Sequence, residues 1–550
     1  MTMDGPDVAT PIAAPLRSGR WWLPALIVTL IGLLYAVAAA RGGAFYWSDG
    51  SRHAMDGAII HDFVRAMPIH QPVDWLFAYY HQYPAIALGF YPPAHSFELA
   101  FIYAIFGVSQ VSANILNGLH AAAMALAMFL LCRRTSNIAM SLAGTVLLML
   151  TPELLFWGRQ PMLELGMLTY MMWASLFALR YLDGSRTRDL AWAALLLVVA
   201  IYSKQTAIVF APAFLIALFY RFGWRWIARP QIWITLAAVA LLLIPLVILQ
   251  LKFGDFNVKT VVHRDDIGIA RDSLEYWTFY IGAAAEGLGW AVWALAAAAI
   301  AALCMPGNAR NPASRFRNVD ALLMSGWLLF GYILLCIISL KETRHEQLIL
   351  PPLVYLAVRL ADAGLRGKAR YVVPIAASLL AICWLPFLPI PRATGLGEAA
   401  DRAVALTPPH GRIAAYVYRD GNFIFGVRSR HEDKDITVLR IDKLLLDMTV
   451  MPGLGMSTRY DQASPDDIAR LLIERGASVV VVQRDLWADR PSVQALYRAM
   501  RSKNFRYVSS VKLDTHEPDY HKIADIYQTV APLPKTPLAP DAKPSMIGGT

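Results

Sequence analysis

Asp49 is the first residue whose position suggests chemistry. It follows a long apolar run, in the stretch FYWSDGSRHAMDG, with Arg52 and His53 close behind. A carboxylate there can take a proton from an incoming hydroxyl while staying within reach of a lipid head group. The rings of Phe45, Tyr46 and Trp47 suit a membrane–water interface. Position alone leaves a second role open, that Asp49 caps the helix carrying Arg52, His53 and Asp56. Glu164, in TPELLFWGRQPMLELGMLTY, stands at the start of another apolar run. An ionisable residue at that depth points to function. It is equally a helix-start carboxylate favoured by the macrodipole, or an ion-pair partner of Arg159. Lys204 sits alone between two apolar runs, where it can snorkel or offer a point charge to a phosphate. In KETRHEQLILPP, Lys341, Arg344 and His345 could neutralise a phosphate leaving group, or be ordinary loop charge. The long polar loop Lys252–Tyr276, which contains Arg264, can fold over such a site as a lid.

The elements that must position these residues are apolar. Of 550 residues 57% are hydrophobic and only 16% charged, which excludes an ordinary soluble enzyme and a disordered chain. Eleven runs are candidates for crossing about 30 Å of hydrocarbon. They are Trp22–Ala40, Ser112–Cys132, Ile138–Phe156, Met162–Tyr181, Leu190–Tyr202, Thr206–Tyr220, Ile232–Leu251, Trp277–Cys304, Ala321–Leu340, Gln347–Val358 and Tyr371–Ile390. The first reads as a retained anchor rather than a cleaved signal, because no small-residue cleavage site precedes Arg41 and Gly42. Ser96–Phe106 has about half the spanning length and reads as an interfacial helix. With the N-terminus inside, seventeen Lys and Arg fall in the short inner loops and eleven in the outer loops. Making Ser96–Phe106 a span would invert every later loop and break this positive-inside bias. The net charge of +10 is therefore mainly a topology signal, and no nucleic-acid motif accompanies it.

The expected fold class is a polytopic α-helical membrane protein of about 11–13 transmembrane helices with a C-terminal α/β soluble domain. Residues 1–21 form a cytoplasmic tail, and 22–390 the membrane domain, with a first outer loop at 41–111 carrying interfacial helices. Residues 391–530 form an extracytoplasmic α/β domain. Residues 391–550 hold 22 Lys and Arg against 19 Asp and Glu, with β-rich stretches at Arg412–Tyr418, Ser478–Gln483 and Tyr507–Val511 and a helical pattern at Pro465–Arg475. The Pro-rich residues 531–550 read as disordered. Cys132, Cys304, Cys336 and Cys383 all lie in or beside apolar runs, which excludes a disulfide framework and a zinc–cysteine cluster.

Taken in order, Asp49, the run Tyr91-Pro92-Pro93-Ala94-His95, the acid after Trp157-Gly158-Arg159, Lys204, and Arg344-His345 before Leu350-Pro351-Pro352 resemble the GT-C superfamily of membrane glycosyltransferases. The similarity is to the branch of the protein mannosyltransferases and lipid A aminoarabinose transferases, over roughly residues 22–390. It implies a polyprenyl-phosphate-linked sugar donor, a glycan, lipid or protein acceptor, and a hexosyl- or pentosyltransferase of the bacterial inner membrane with its site extracytoplasmic. It also implies Asp49 as catalytic base, with Glu164 as the second acid. Lys204, Arg344, His345 and Arg264 would face the donor phosphate, and Arg52, His53, Tyr91 and Arg159 would line the donor and acceptor pocket. The chain departs from the family at Gly50, where a second acid is common, and at Glu164, where Asp is. Tyr91 replaces the Lys of the aminoarabinose branch, which favours the mannosyltransferase-like one. The missing acid at Gly50 removes one possible metal ligand, so no metal site is assigned and a divalent cation is left unsupported.

No Gly-rich phosphate loop follows a strand, which favours a lipid-linked over a nucleotide-linked donor. The competing class is a transporter or flippase of lipid-linked sugars. That class places sites at the bilayer midplane between internal repeats. This sequence has no evident two-fold repeat, and its ionisable residues collect toward one face.

Overall fold

A computed structural model describes residues 22–39, 42–87, 89–253, 269–304, 318–364, 367–387, 393–448, 456–458, 463–515 and 522–539. The membrane portion starts with α1 (Trp22–Ala38), followed by three helices of the first loop: α2 (Ser48–Ala66), α3 (Pro72–Gln82) and α4 (Ala94–Phe106). Next come α5 (Gln110–Arg133), α6 (Ile138–Met149), the short α7 (Pro152–Trp157), α8 (Leu163–Gly184) and α9 (Thr187–Ser203). After them run α10 (Phe210–Phe222) and α11 (Pro230–Phe253), then helices Leu274–Leu288, Trp290–Cys304, Val319–Ile337, Leu350–Gly364 and Ala369–Trp384. Five described helical segments are long and apolar enough to cross a membrane, and four shorter ones are apolar.

Burial divides these helices into a centre and a rim. In α5 72% of the apolar window is buried, whereas in Pro230–Lys252 only 11% is, leaving Ile234, Leu241, Val247 and Leu251 exposed. Such a helix, apolar yet uncovered, has lipid as its only favourable surroundings. At the centre, α1 and α5 touch at small residues: a Cβ on Gly32 would lie 2.3 Å from Ala122 Cα, and one on Gly118 2.6 Å from Ala36 Cβ. Close approach of this kind is how apolar helices gain contact where no hydrophobic drive remains.

Several sequence boundaries shift. Ile138–Phe156 is two helices, with the break at Leu150 and Thr151 before Pro152 at the first position of α7. Trp277–Cys304 is also two, because Gly289 at φ +86° ends the first one. The Gln347–Val358 run starts later, since Thr343–Leu348 is a 3₁₀ turn. The stretch expected to be interfacial is α4, whose 13 residues leave Phe97, Phe101 and Ile105 exposed while Leu99, Ile102 and Tyr103 are buried. That stripe suits a helix lying on a lipid surface.

After residue 393 the chain builds a five-stranded sheet in the order Thr437–Arg440, Arg412–Tyr416, Ala477–Gln483, Ile523–Thr529, Phe505–Lys512. The first three strands are parallel and the last two antiparallel to their neighbours. Helix Pro465–Glu474 begins with a capping box between Ser464 and Asp467. The tail departs from its expected disorder over residues 531–539. There Leu538 N donates to Glu474 O at 3.0 Å, Arg412 donates to Leu538 O at 2.6 Å, and a Cβ on Gly476 would touch Pro537. A carbonyl at the end of helix Pro465–Glu474 and the Arg412 side chain supply the order that the Pro-rich composition does not.

The soluble domain is seated on the first loop. Asn422 accepts from Phe45 N at 2.7 Å and donates to Phe45 O at 2.8 Å, closing a backbone-like pair. Phe45 also packs 5.5 Å from Phe425. Phe45 and Tyr46 are buried at 1% and 6% exposure, so these rings form the joint between domains rather than a belt at the lipid interface. Tyr46 has Phe156 at 4.6 Å and Trp157 at 6.1 Å as its neighbours, an apolar alternative that outcompetes lipid.

Candidate active site

Asp49 lies in the first turn of α2, whose N-cap is Trp47, and no side-chain cap hydrogen bond is made there. Instead, Arg344 Nη1 donates to Asp49 Oδ2 at 2.9 Å. Arg344 enters from the 3₁₀ turn Thr343–Leu348, nearly 300 residues away, and is also paired with Glu342. Its guanidinium lies 5.9 Å from the Trp47 ring and 5.8 Å from Trp157, and the two indoles meet edge-on at 5.3 Å. Two aromatic faces and two carboxylates thus hold one cation in place.

Glu164, at the start of α8, pairs with Lys204 at the end of α9, Nζ donating to Oε1 at 2.6 Å. Lys204 is at the C-cap with extended backbone (φ −156°), which turns the chain into the 3₁₀ segment Gln205–Val209. Glu164 stands in the first turn of α8, as its helix-start alternative has it, and its ion-pair partner is Lys204; Arg159 does not pair with it and donates to Leu155 O at 2.7 Å. The two ion pairs are close enough that His53 experiences Asp49, Glu164, Arg344 and Lys204 together.

The electrostatics follow from this convergence. Burial alone would raise the Asp49 carboxyl, but Arg344, with help from Arg52, outweighs it and keeps Asp49 below the usual carboxylate range. Burial pushes His53 down to about 4, and burial together with Lys204 and Arg344 pushes His345 well below its ordinary value. At neutral pH both imidazoles are uncharged, and the charges facing each other are two carboxylates and two cations. Tyr91 stands edge-on to His53 at 4.7 Å, and burial beside Asp49 raises its phenol. A Cβ on Gly50 would come 3.1 Å from Phe45 Cβ and 3.3 Å from Gln160 Oε1, so the missing second acid coincides with a crowded position.

Of the residues expected at a site, the structure brings together Asp49, Arg344, Glu164, Lys204, His53, His345, Arg52 and Tyr91. Arg159 stands apart, near Tyr35 and Tyr46. Arg264 and the centre of its loop lie outside the described residues. Sequence reasoning missed Trp157 as a wall of the Arg344 cage. It also missed Glu346, which is fully buried with neither carboxylate oxygen partnered among the described residues. Burial, with Glu153 and Glu286 nearby, pushes its carboxyl up to about 9, so it is neutral at pH 7. Its only trace in the sequence is an acid directly after Arg344-His345. A His–Glu–His group beside His53 is the one set among the described residues whose ligand atoms converge closely enough.

Residues 91–249 match the family model described as dolichyl-phosphate-mannose-protein mannosyltransferase. The whole structure is similar to that of ArnT from Cupriavidus metallidurans bound to undecaprenyl phosphate. The TM-score is 0.61 at 12% identity, over 94% of this chain and 99% of that one. The chain has the GT-C membrane glycosyltransferase fold. Apo ArnT from the same organism gives a TM-score of 0.59 at 12% identity, over 92% of this chain and 97% of that one. A mutant of the mycobacterial arabinofuranosyltransferase AftD gives 0.50 at 16% identity, over 94% of this chain and 42% of that one. No curated protein sequence matches at a significant level. The fold expected from scattered short motifs is thus borne out, although identity across the GT-C fold is low.

Proposed function

We propose that this chain is a glycosyltransferase that moves a sugar from a polyprenyl-phosphate carrier to a hydroxyl acceptor, at the extracytoplasmic face of a bacterial inner membrane. The observation that carries the reading is the meeting of two carboxylate–cation pairs, Asp49–Arg344 and Glu164–Lys204, at helix ends near the C-terminal domain. A donor phosphate brings negative charge that competes for both cations. As the C1–O bond breaks, its electron pair passes to the phosphate oxygen, where Arg344 and Lys204 hold the charge. The acceptor hydroxyl oxygen bonds C1 from the opposite face, giving inversion, and its proton passes to Asp49.

The Arg344 pairing gives Asp49 a conditional role. With Arg344 bound to it, Asp49 is a weak base. When Arg344 turns to the phosphate, that carboxyl loses its strongest lowering partner and becomes more basic. Base strength then rises only when donor is present. Glu164 orients Lys204, and neutral His53 and Tyr91 line the acceptor side.

The test measures transfer from radiolabelled polyprenyl-phosphate sugars in membranes, comparing the natural chain with Asp49→Asn. Loss of transfer in the variant with donor binding retained supports the reading. Equal transfer by both proteins removes Asp49 as the base. Carrier-linked sugar crossing the bilayer without transfer would favour the transporter class.

A further inference from the structure

A second cluster of polar side chains lies next to the site, and the proposed reaction does not use it. α4 carries His95 and Glu98 at i and i+3, hence on one face. α5, which packs along α4, supplies His120 from its midpoint. His95 is 1% exposed and His120 6%. Glu98 Oε2 stands 3.2 Å from His120 Nε2 and 3.9 Å from His95 Nδ1, and one ligand atom from each residue lies within 4.8 Å of the others. Two ligand atoms bound tetrahedrally to zinc at about 2.1 Å are about 3.4 Å apart. The first distance already fits, and the second needs only a small inward turn of His95.

Two observations distinguish this group from an ordinary buried ion pair. Neither nitrogen of His95 has a hydrogen-bond partner among the described residues, nor does either amide atom of Asn117, one turn before His120. A simple His–Glu pair would satisfy one imidazole and leave no reason to bury a second one unpartnered. The surroundings also resemble support for a ligand set. Tyr170 of α8 donates to Glu98 Oε1, fixing that oxygen and leaving Oε2 toward the imidazoles. A Cβ on Gly166, one turn before Tyr170 on α8, would come within 2.9 Å of His120 Cε1, so this position is bare where the ring sits.

We propose that His95, Glu98 and His120 bind one divalent ion of the zinc class, which ties α4 to α5 and leaves a fourth position for water. The His95 ring is 6.1 Å from that of His53, which touches Tyr91 and follows Asp49 by one turn. The ion is a clamp that holds the Tyr91-Pro92-Pro93 turn against the catalytic helix. Its entry path is the Glu98 side, where the side chain retains 20% exposure.

The test uses the full chain in detergent with affinity tags removed. It is stripped with chelator and reloaded with Zn²⁺, or with Co²⁺ as a spectroscopic probe. The expected result is one zinc per chain by elemental analysis, a Co²⁺ visible spectrum of tetrahedral type, and a higher melting temperature on reloading. His95→Gln and His120→Gln abolish stoichiometric uptake. Tyr170→Phe, which leaves all three ligands and the packing in place, weakens affinity by about 10–100-fold. A wild-type chain that takes up no stoichiometric metal overturns the proposal. So does uptake that is undiminished in the folded His95→Gln and His120→Gln variants, because the ion would then reside elsewhere.

Discussion

Two carboxylates on one helix, Asp49 and Asp62 of α2, face arginines and are held in opposite ways. Asp49 receives a single hydrogen bond from Arg344 at 2.9 Å, and Arg344 is shared with Glu342. Asp62 receives a two-pronged grip from Arg428, at 2.7 Å from Nε and 2.5 Å from Nη2. Tyr79 adds a bond at 2.5 Å, and His61 lies at 2.8 Å. Arg428 comes from the soluble domain, so this second pair is a fastener between domains. A fork-to-fork pair with every lone pair occupied has no cheap way to let go. A singly bonded carboxylate whose cation has another partner can exchange it for an incoming anion. The same residue types thus make a site at one end of α2 and a rivet at the other, and coordination number separates the two.

That contrast can be broken by substitution. The largest expected effect is Asp49→Asn, which lowers transfer by about 10²–10⁴-fold while leaving the melting temperature nearly unchanged, checked by radiolabelled transfer and thermal unfolding in detergent. A variant that unfolds would place Asp49 with the rivets. Next is the mirror case: Asp62→Asn leaves the buried Arg428 with only Glu432, at 3.4 Å, as its ionic partner and destabilises by about 3–5 kcal/mol. The folded fraction should retain its activity per molecule, and domain separation should appear as faster limited proteolysis at the joint. Arg344→Gln should raise KM for the donor and cut kcat/KM by about 10–100-fold, on the scale of about 1.5–3 kcal/mol for a charged hydrogen bond. It should also move the Asp49 titration upward, visible as an acid limb of the rate profile shifted to higher pH. An unchanged limb would mean that Arg344 does not control the base.

The smallest effect concerns Glu346, pushed up to about 9 by burial first and by Glu153 and Glu286 second. The folded chain keeps a proton there that the unfolded chain releases above about 4.3, so stability falls as pH rises between those values. Each unit costs about 1.4 kcal/mol at most. Glu346→Gln should flatten that slope between pH 6 and 9 in thermal unfolding; an equal slope in both chains would assign the dependence to another group.

Much of this was legible from residue order. Apolar runs with few charges predict helices in lipid, because no other regular structure satisfies the backbone there. The helix at Pro465 and three strands of the soluble sheet were visible from period and composition, within two residues at each end. Helix breaks at Thr151 and Gly289 were harder, since a break inside an apolar run does not alter hydropathy. The order of residues 531–539 was also hidden, because its hydrogen bonds come from Arg412 and Glu474. The Asp49 site was half visible: its residue types were singled out, but both were assigned as separate points rather than as pairs.

Sequence by itself determined that the chain lives in a membrane, which residues carry charge near the helix ends, and that an α/β domain follows. These are local properties, set by the free energy of transferring each segment between water and lipid. Tertiary structure alone decided which charge meets which: that Arg344 crosses to Asp49 and Lys204 to Glu164, that Phe45 is buried in a joint, and that His95 and Glu98 meet His120. Those pairings join residues from 22 to 377 positions apart. They depend on helix packing, because a side chain's partner is set by what lies within about 3 Å of it in space.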